Sequence, residues 1–153
     1  MKKKTKVVIG VLIVLILAQF IRPNRNTGNV FGRNDISHEV QLPDSVLKIL
    51  KKSCFDCHSN RTAYPWYAEI NPVSWWLNHH VNEGKQELNF SEFVTYEDST
   101  KLKKLEEIAE EVKEHKMPLD SYLLIHKDAK LTSQQISTLI SWTEGARKEL
   151  QTK

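Results

Sequence analysis

Two hydrophobic patterns divide this chain. From Val7 to Ile21 the side chains are aliphatic, Ala or Phe, with only Gly10 and Gln19 between them, so the run is apolar on every face. Beyond it, apolar residues recur three and four positions apart, the spacing of one helix face, and no stretch keeps the alternation of a strand. Asp44 or Ser45 opens a helix over about 45–53 with Val46, Ile49 and Leu50 inward. Asn71-Pro72 pairs a capping residue with a proline suited to the first helical position. The helix it opens has the stripe Val73, Trp76, Leu77, His80 and Val81, and Gly84 is expected to end it. Asp98 to about Lys116 turns Leu102, Leu105, Ile108, Ala109 and Val112 one way and Glu106, Glu107, Glu110 and Glu111 the other. A short helix is expected around Ser121–His126. Thr132 and Gln135 have the spacing of a capping box, with Ile136, Leu139, Ile140 and Thr143 inward in a last helix to about Leu150. The fold class is therefore all-α.

The same pattern sets the organisation. Residues 1–21 form an N-terminal signal-anchor or transmembrane helix, 22–37 a polar, turn-rich tether, and 38–153 one folded domain. Within the domain, 59–70 reads as an aromatic loop carrying Tyr64, Trp66 and Tyr67. Charge supports the division. The chain's 22 Lys+Arg exceed its 19 Asp+Glu, but Lys2, Lys3, Lys4 and Lys6 lie ahead of the apolar run, and without them 18 basic groups face 19 acidic ones. No basic face is left on the domain for a nucleic acid. Lysines before an apolar run stay on the cytoplasmic side, so the domain is expected on the outer, periplasmic side of the cytoplasmic membrane. Leu17-Ala18-Gln19-Phe20-Ile21 offers a signal peptidase one small residue, which favours an uncleaved anchor over a cleaved signal. The run is short of a full membrane span, and snorkelling lysines with Arg22 at the far end would cover the shortfall.

Chemistry is concentrated in one pentapeptide. The chain's two cysteines both fall in Cys54-Phe55-Asp56-Cys57-His58. C-x-x-C-H is the attachment pattern of haem c, because two thiols on one helical turn reach the two vinyl groups of one porphyrin and the adjacent His meets the iron. Three other readings compete. A thiol–disulfide oxidoreductase places C-x-x-C after a strand, whereas here it follows a helix. A structural zinc site needs a second ligand pair, and no H-x3-5-H exists. A disulfide would close too small a loop to stabilise much. As second axial ligand of the iron, Met117 is favoured: it is the only methionine besides Met1, and it lies in a turn, Lys116-Met117-Pro118-Leu119. A core-filling role is its ordinary alternative. His80, on an apolar stripe, is the competing ligand; His126 is another inward candidate, and His38, His79 and His115 are expected at the surface. Trp66, Trp75 or Trp76 would wall a haem slot or bond a propionate. For Trp76 core packing competes equally, and for Trp75 a loop contact stands beside the propionate.

These residues carry a resemblance. Cys54 to Asn60, Tyr64-Pro65-Trp66-Tyr67, Pro72-Val73-Ser74-Trp75-Trp76-Leu77, His80-Val81 and Leu88-Asn89-Phe90-Ser91 resemble the haem-binding domain family of small bacterial membrane-associated cytochromes. Met117-Pro118, Tyr122, His126, Leu131 and Trp142 fit its C-terminal half, so the resemblance covers roughly 38–148. Lys85 and Phe93 stand where the family pattern favours Arg and Trp, away from the haem motif. The resemblance implies a cytochrome-c-like helical domain with one covalent haem c, and no established substrate. The expected function is single-electron transfer between unidentified redox partner proteins. Its alternative is a haem-based sensor or small-ligand binder with a displaceable distal ligand, and a peroxidase-like enzyme is a third. Methionine ligation would fill the iron and disfavour catalysis there.

Overall fold

A computed structural model describes residues 2–152. Its regular elements are helices: α1 (Lys3–Ala18), α2 (Asp44–Ser53), α3 (Phe55–His58), α4 (Val73–Glu87), α5 (Asp98–Lys113), α6 (Asp120–Leu123) and α7 (Ser133–Gln151). Short 3-10 turns at Ile36–His38, Trp66–Glu69, Phe90–Thr95 and Lys127–Ala129 join them. No strand forms among the described residues, and the one bridge pairs Thr27 with Arg61. The all-α expectation holds.

The main core lies where α5 and α7 pack along each other and α2 closes one side. Leu105, Ile108 and Val112 of α5 meet Leu139, Trp142 and Ala146 of α7 and Val46, Ile49 and Leu50 of α2. Phe55, Phe90 and Phe93 continue this core towards α3. The Thr132–Gln135 capping box forms as expected, each side chain bonding the other's backbone amide. Trp142 donates its indole N–H to the Gln41 carbonyl at 2.9 Å, which satisfies the one polar atom of a buried ring. Lys101 is buried too, and Glu39 and Asp98 each approach its ammonium at 3.1 Å.

Several boundaries differ from expectation. Pro43 holds the cap position of α2, and Asp44 is its first residue. Pro72, joined to Asn71 by a cis peptide, precedes α4. α5 stops at Lys113, where His115 takes the left-handed φ of 56° that turns the chain out of the helix. The largest difference is α4. It turns Ser74, Leu77 and Val81 inward and runs through Gly84 to Glu87.

The segment expected as a tether lies along the body. The Asn26 side chain donates to the Ser59 carbonyl at 2.8 Å and to Thr62 Oγ1 at 3.0 Å, and the Gly28 amide donates to the Asn60 carbonyl at 2.7 Å. Asp35 and Ile36 are buried. These contacts need short polar side chains and a glycine, the composition that also marks a loop, so sequence alone reads them as tether. The expected anchor run folds as α1, with no residue buried. Among the described residues no helix is long and apolar enough to cross a membrane.

Candidate functional site

The end of α2 positions the pentapeptide. Cys54 is the last residue satisfied by α2, its amide donating to the Leu50 carbonyl at 2.9 Å. Its own φ of −129° breaks the helix and starts the single turn of α3. The Cys57 and His58 amides fold back onto the Cys54 carbonyl at 3.2 and 2.9 Å. Both cysteines are free thiols on this turn, and they face different apolar groups. Cys54 packs on the main core, and Cys57 on the smaller cluster of Ala68, Leu77 and Val81. Burial, with the charge of Cys57 second, pushes the Cys54 thiol up to about 12. Burial and then the Asp56 carboxylate push Cys57 to about 11. An attacking cysteine needs a depressed value, so this environment is the reverse of a thiol oxidoreductase site.

His58 is held by one ring nitrogen. Its Nδ1 lies 3.0 Å from the Leu88 carbonyl, an acceptor, so Nδ1 carries the proton and Nε2 the lone pair. Burial lowers the imidazole pKa, offset in part by the carbonyls of Leu88 and Gly84. The result is an oriented imidazole whose unprotonated nitrogen is Nε2. This is the arrangement that fixes a metal-ligating histidine.

Gly84 makes the packing of α3 on α4 close. A Cβ at this position would lie 2.8 Å from the Cys57 carbonyl oxygen and 3.0 Å from the Cys57 Cβ. Gly84 therefore serves as a contact point for the cysteine turn, and its expected role as helix terminator is corrected.

Asp56, between the cysteines, ties two loops to the turn. Its Oδ1 accepts from the Ala63 amide at 2.9 Å and its Oδ2 from the Tyr122 hydroxyl at 2.8 Å. Burial, then this bond to Asp56, raises the Tyr122 pKa, so the hydroxyl remains a donor. His126 stacks on Tyr122 with ring centroids 4.2 Å apart, and its Nε2 lies 2.7 Å from the Tyr67 hydroxyl. Together these groups line a small cleft at Cys57 with Leu77 and Val81. Leu124 and Ile125, beside it in sequence, are exposed.

The structure unites some expected site residues and separates others. Cys54, Cys57 and His58 share one turn. Met117 is half-buried at the start of the segment that Tyr122 carries to Asp56, and its amide donates to the Glu111 carbonyl at 3.2 Å. Trp75 lies across α4 from Gly84, on the side away from the cysteine turn. Gly84 and Leu77 lie on the inward side of α4, and the two tryptophans project from its outer side, 38% and 45% exposed. Trp75 makes the loop contact that was its other expectation, donating its indole N–H to the Ile21 carbonyl at 2.8 Å. Trp76 meets the edge of His80, and His80 faces Glu83 at 3.4 Å. Gly84, Leu88 and Asp56 were missed as site residues. A glycine inside an amphipathic helix was the only local signal for any of them.

Among the described residues no three His, Cys, Asp or Glu side chains converge to hold a bare metal ion, which leaves the zinc reading without a ligand set. The turn instead offers the donor set a haem would take, two thiols and an oriented imidazole whose Nε2 is unprotonated, while the small cleft at Cys57 reaches neither Cys54 nor His58. Fold and site thus define a helical domain built around a C-x-x-C-H turn. The chain belongs to the haem-binding domain family, whose pattern it matches over residues 13–145. No curated protein and no solved structure matches it.

Proposed function

We propose that this chain is a membrane-held electron carrier with one covalent haem c. The observation that supports it most is His58, whose Nδ1 proton is engaged by the Leu88 carbonyl so that Nε2 is left to bind iron. Cys54 and Cys57 would hold the porphyrin by thioethers, each S–H adding across one vinyl group with its hydrogen passing to the vinyl carbon. The haem, once bound, supplies a reversible one-electron couple. The chain's own residues do the rest. The Leu88 carbonyl keeps His58 in one tautomer, the apolar groups around both cysteines exclude water, and Asp56 pins the loops at the turn. Met117 is the proposed second axial ligand, which would close the iron to small molecules. α1, apolar behind its lysines and with no residue buried, is the proposed anchor, with the body on the outer side of the cytoplasmic membrane.

A pyridine haemochrome spectrum of protein made with a haem-attachment apparatus tests the covalent link. A c-type spectrum that survives acid–acetone extraction is expected, and extractable haem would refute it. Carbon monoxide tests the iron. Reduced protein should keep its spectrum, whereas Met117→Ala should bind carbon monoxide and lower the potential. Rapid carbonyl formation by the unaltered protein would instead favour the sensor or small-ligand binder.

A further inference from the structure

The start of α4 and the end of α1 share a joint that the cysteine site does not use. Asn71, buried, stands at its centre. Its side-chain amide donates to the carbonyls of Ala18 at 2.6 Å and Ile21 at 2.9 Å. Its backbone amide donates to Gln19 Oε1 at 3.0 Å, and its carbonyl accepts from Gln19 Nε2 at 3.1 Å. The bond from the Trp75 indole to Ile21 adds to these, and the Arg22 and Arg25 side chains continue the joint onto Glu69. Every backbone carbonyl at the end of an apolar helix needs such a partner where water is scarce. Here the folded body supplies them for Ala18 and Ile21.

Around this joint, apolar side chains face outward. Phe20, Ile21, Ile70, Val73, Trp75 and Trp76 are exposed, from 38% for Val73 and Trp75 to 80% for Phe20. The core next to them is closed by Ser74, Leu77 and Val81, so this surface is not a misplaced interior. Its chemistry fits one occupant. Indole rings with an apolar body and a polar N–H concentrate at the boundary between lipid headgroups and acyl chains. With the indoles at that boundary, Arg22 and Arg25 beside them would lie at the depth of the phosphates. Length points the same way. The 16 residues of α1 rise about 24 Å, short of the ~30 Å hydrocarbon layer. A short span with a fixed joint draws the body onto the bilayer, where a loose tether would have released it.

We infer that Phe20, Ile21, Ile70, Val73, Trp75 and Trp76 seat in the headgroup–acyl boundary of the bilayer that α1 enters, and so hold the cysteine turn at a fixed orientation above the membrane. This rests on the proposed anchoring by α1. It assigns Trp75 and Trp76 to lipid.

Fluorine NMR of the full haem-loaded, reduced chain in phosphatidylcholine nanodiscs tests it. The four tryptophans are labelled as fluorotryptophan and their resonances assigned by single Trp→Phe changes. A nitroxide lipid labelled just below its headgroup should broaden Trp75 and Trp76 beyond detection. Trp142, buried and bonded to the Gln41 carbonyl, should stay sharp. If Trp75 and Trp76 stay as sharp as Trp142, the inference fails, which is also the result expected if a second copy of the chain covered this face. Flotation with vesicles after an alkaline carbonate wash separates the two levels. Flotation without broadening overturns the docking face and leaves the anchor standing, and failure to float overturns both.

Discussion

Replacing Gly84 by alanine sets two effects of known sign against each other. In a helix interior alanine is favoured over glycine by about 1 kcal/mol, and that gain is realised wherever the new methyl group finds space. Gly145, exposed on α7 with nothing within 4 Å of its missing Cβ, is such a place. Gly145→Ala should therefore stabilise the protein by about 1 kcal/mol. At Gly84 the methyl would lie 2.8 Å from the Cys57 oxygen and 3.2 Å from the Cys57 carbonyl carbon. Both are backbone atoms and cannot rotate away as a side-chain tip does. Relief requires α3 and α4 to part, and forced insertion of a methyl into close packing costs about 1–3 kcal/mol. The net effect of Gly84→Ala is then a loss of about 1 kcal/mol, leaving the two alanine variants about 2 kcal/mol apart. For a chain of this length that gap is about 4–8 °C in melting temperature. Circular dichroism melts of the two variants beside the parent protein measure it. The Gly84 variant should also carry less attached haem, because the same movement shifts Cys57 and the carbonyls that face His58. If Gly84→Ala raises the melting temperature as much as Gly145→Ala does, the contact with Cys57 is not tight, and Gly84 is no part of the site.

Two further perturbations probe the surroundings. Tyr122→Phe removes one of the two donors to Asp56, and should cost about 1 kcal/mol, the low end for a bond to a charged acceptor because the hydroxyl is only half-buried; urea denaturation measures it, and no change would mean that the 117–126 segment is held by other contacts. Lys101→Met should cost about 2–3 kcal/mol at neutral pH, low for a broken buried pair because Asp98 itself lies in solvent. Burial alone would lower the Lys101 pKa, but its bonds to Glu39 and Asp98 outweigh this and raise it. A raised folded-state value means that the lysine's contribution is complete below the ordinary 10.5 and is lost as the pH climbs through the folded value. Parent and variant should therefore converge only in strongly alkaline urea titrations, and convergence at neutral pH would contradict the pairing.

Period and capping made most of the helices legible, because both are local. The Thr132–Gln135 box declares the start of α7, and Leu105, Ile108 and Val112 declare the buried side of α5. α4 was legible as a helix but not in its rotation. Trp76 is apolar by type, and a periodicity argument turns it inward, yet α4 points Ser74, Leu77 and Val81 at the core. The reason lies outside the helix. The side facing α3 must be the one that carries Gly84, and this sets the rotation whatever the hydrophobicity of the opposite side. Gly84 was misread for the same reason. A glycine after an apolar stripe is a common stop signal, and only the unseen Cys57 backbone reveals the other use of a missing Cβ.

The site divides along the same line. The Cys54, Cys57 and His58 motif was legible because it is written in five consecutive residues. What holds the motif in place lies at a distance. The tautomer of His58 depends on a backbone carbonyl at Leu88, which no side-chain identity announces. Asp56 occupies a position where the motif accepts any residue, and its role is set by Ala63 and Tyr122. The tryptophan block has the same lesson with the opposite sign. Its closeness in sequence to the motif suggested a haem wall, but the Trp75 indole bonds the Ile21 carbonyl at the end of α1, across α4 from Gly84. Nearness along the chain was a good guide within one turn of helix and a poor one across a whole helix, where rotation about the axis decides which partner a side chain meets.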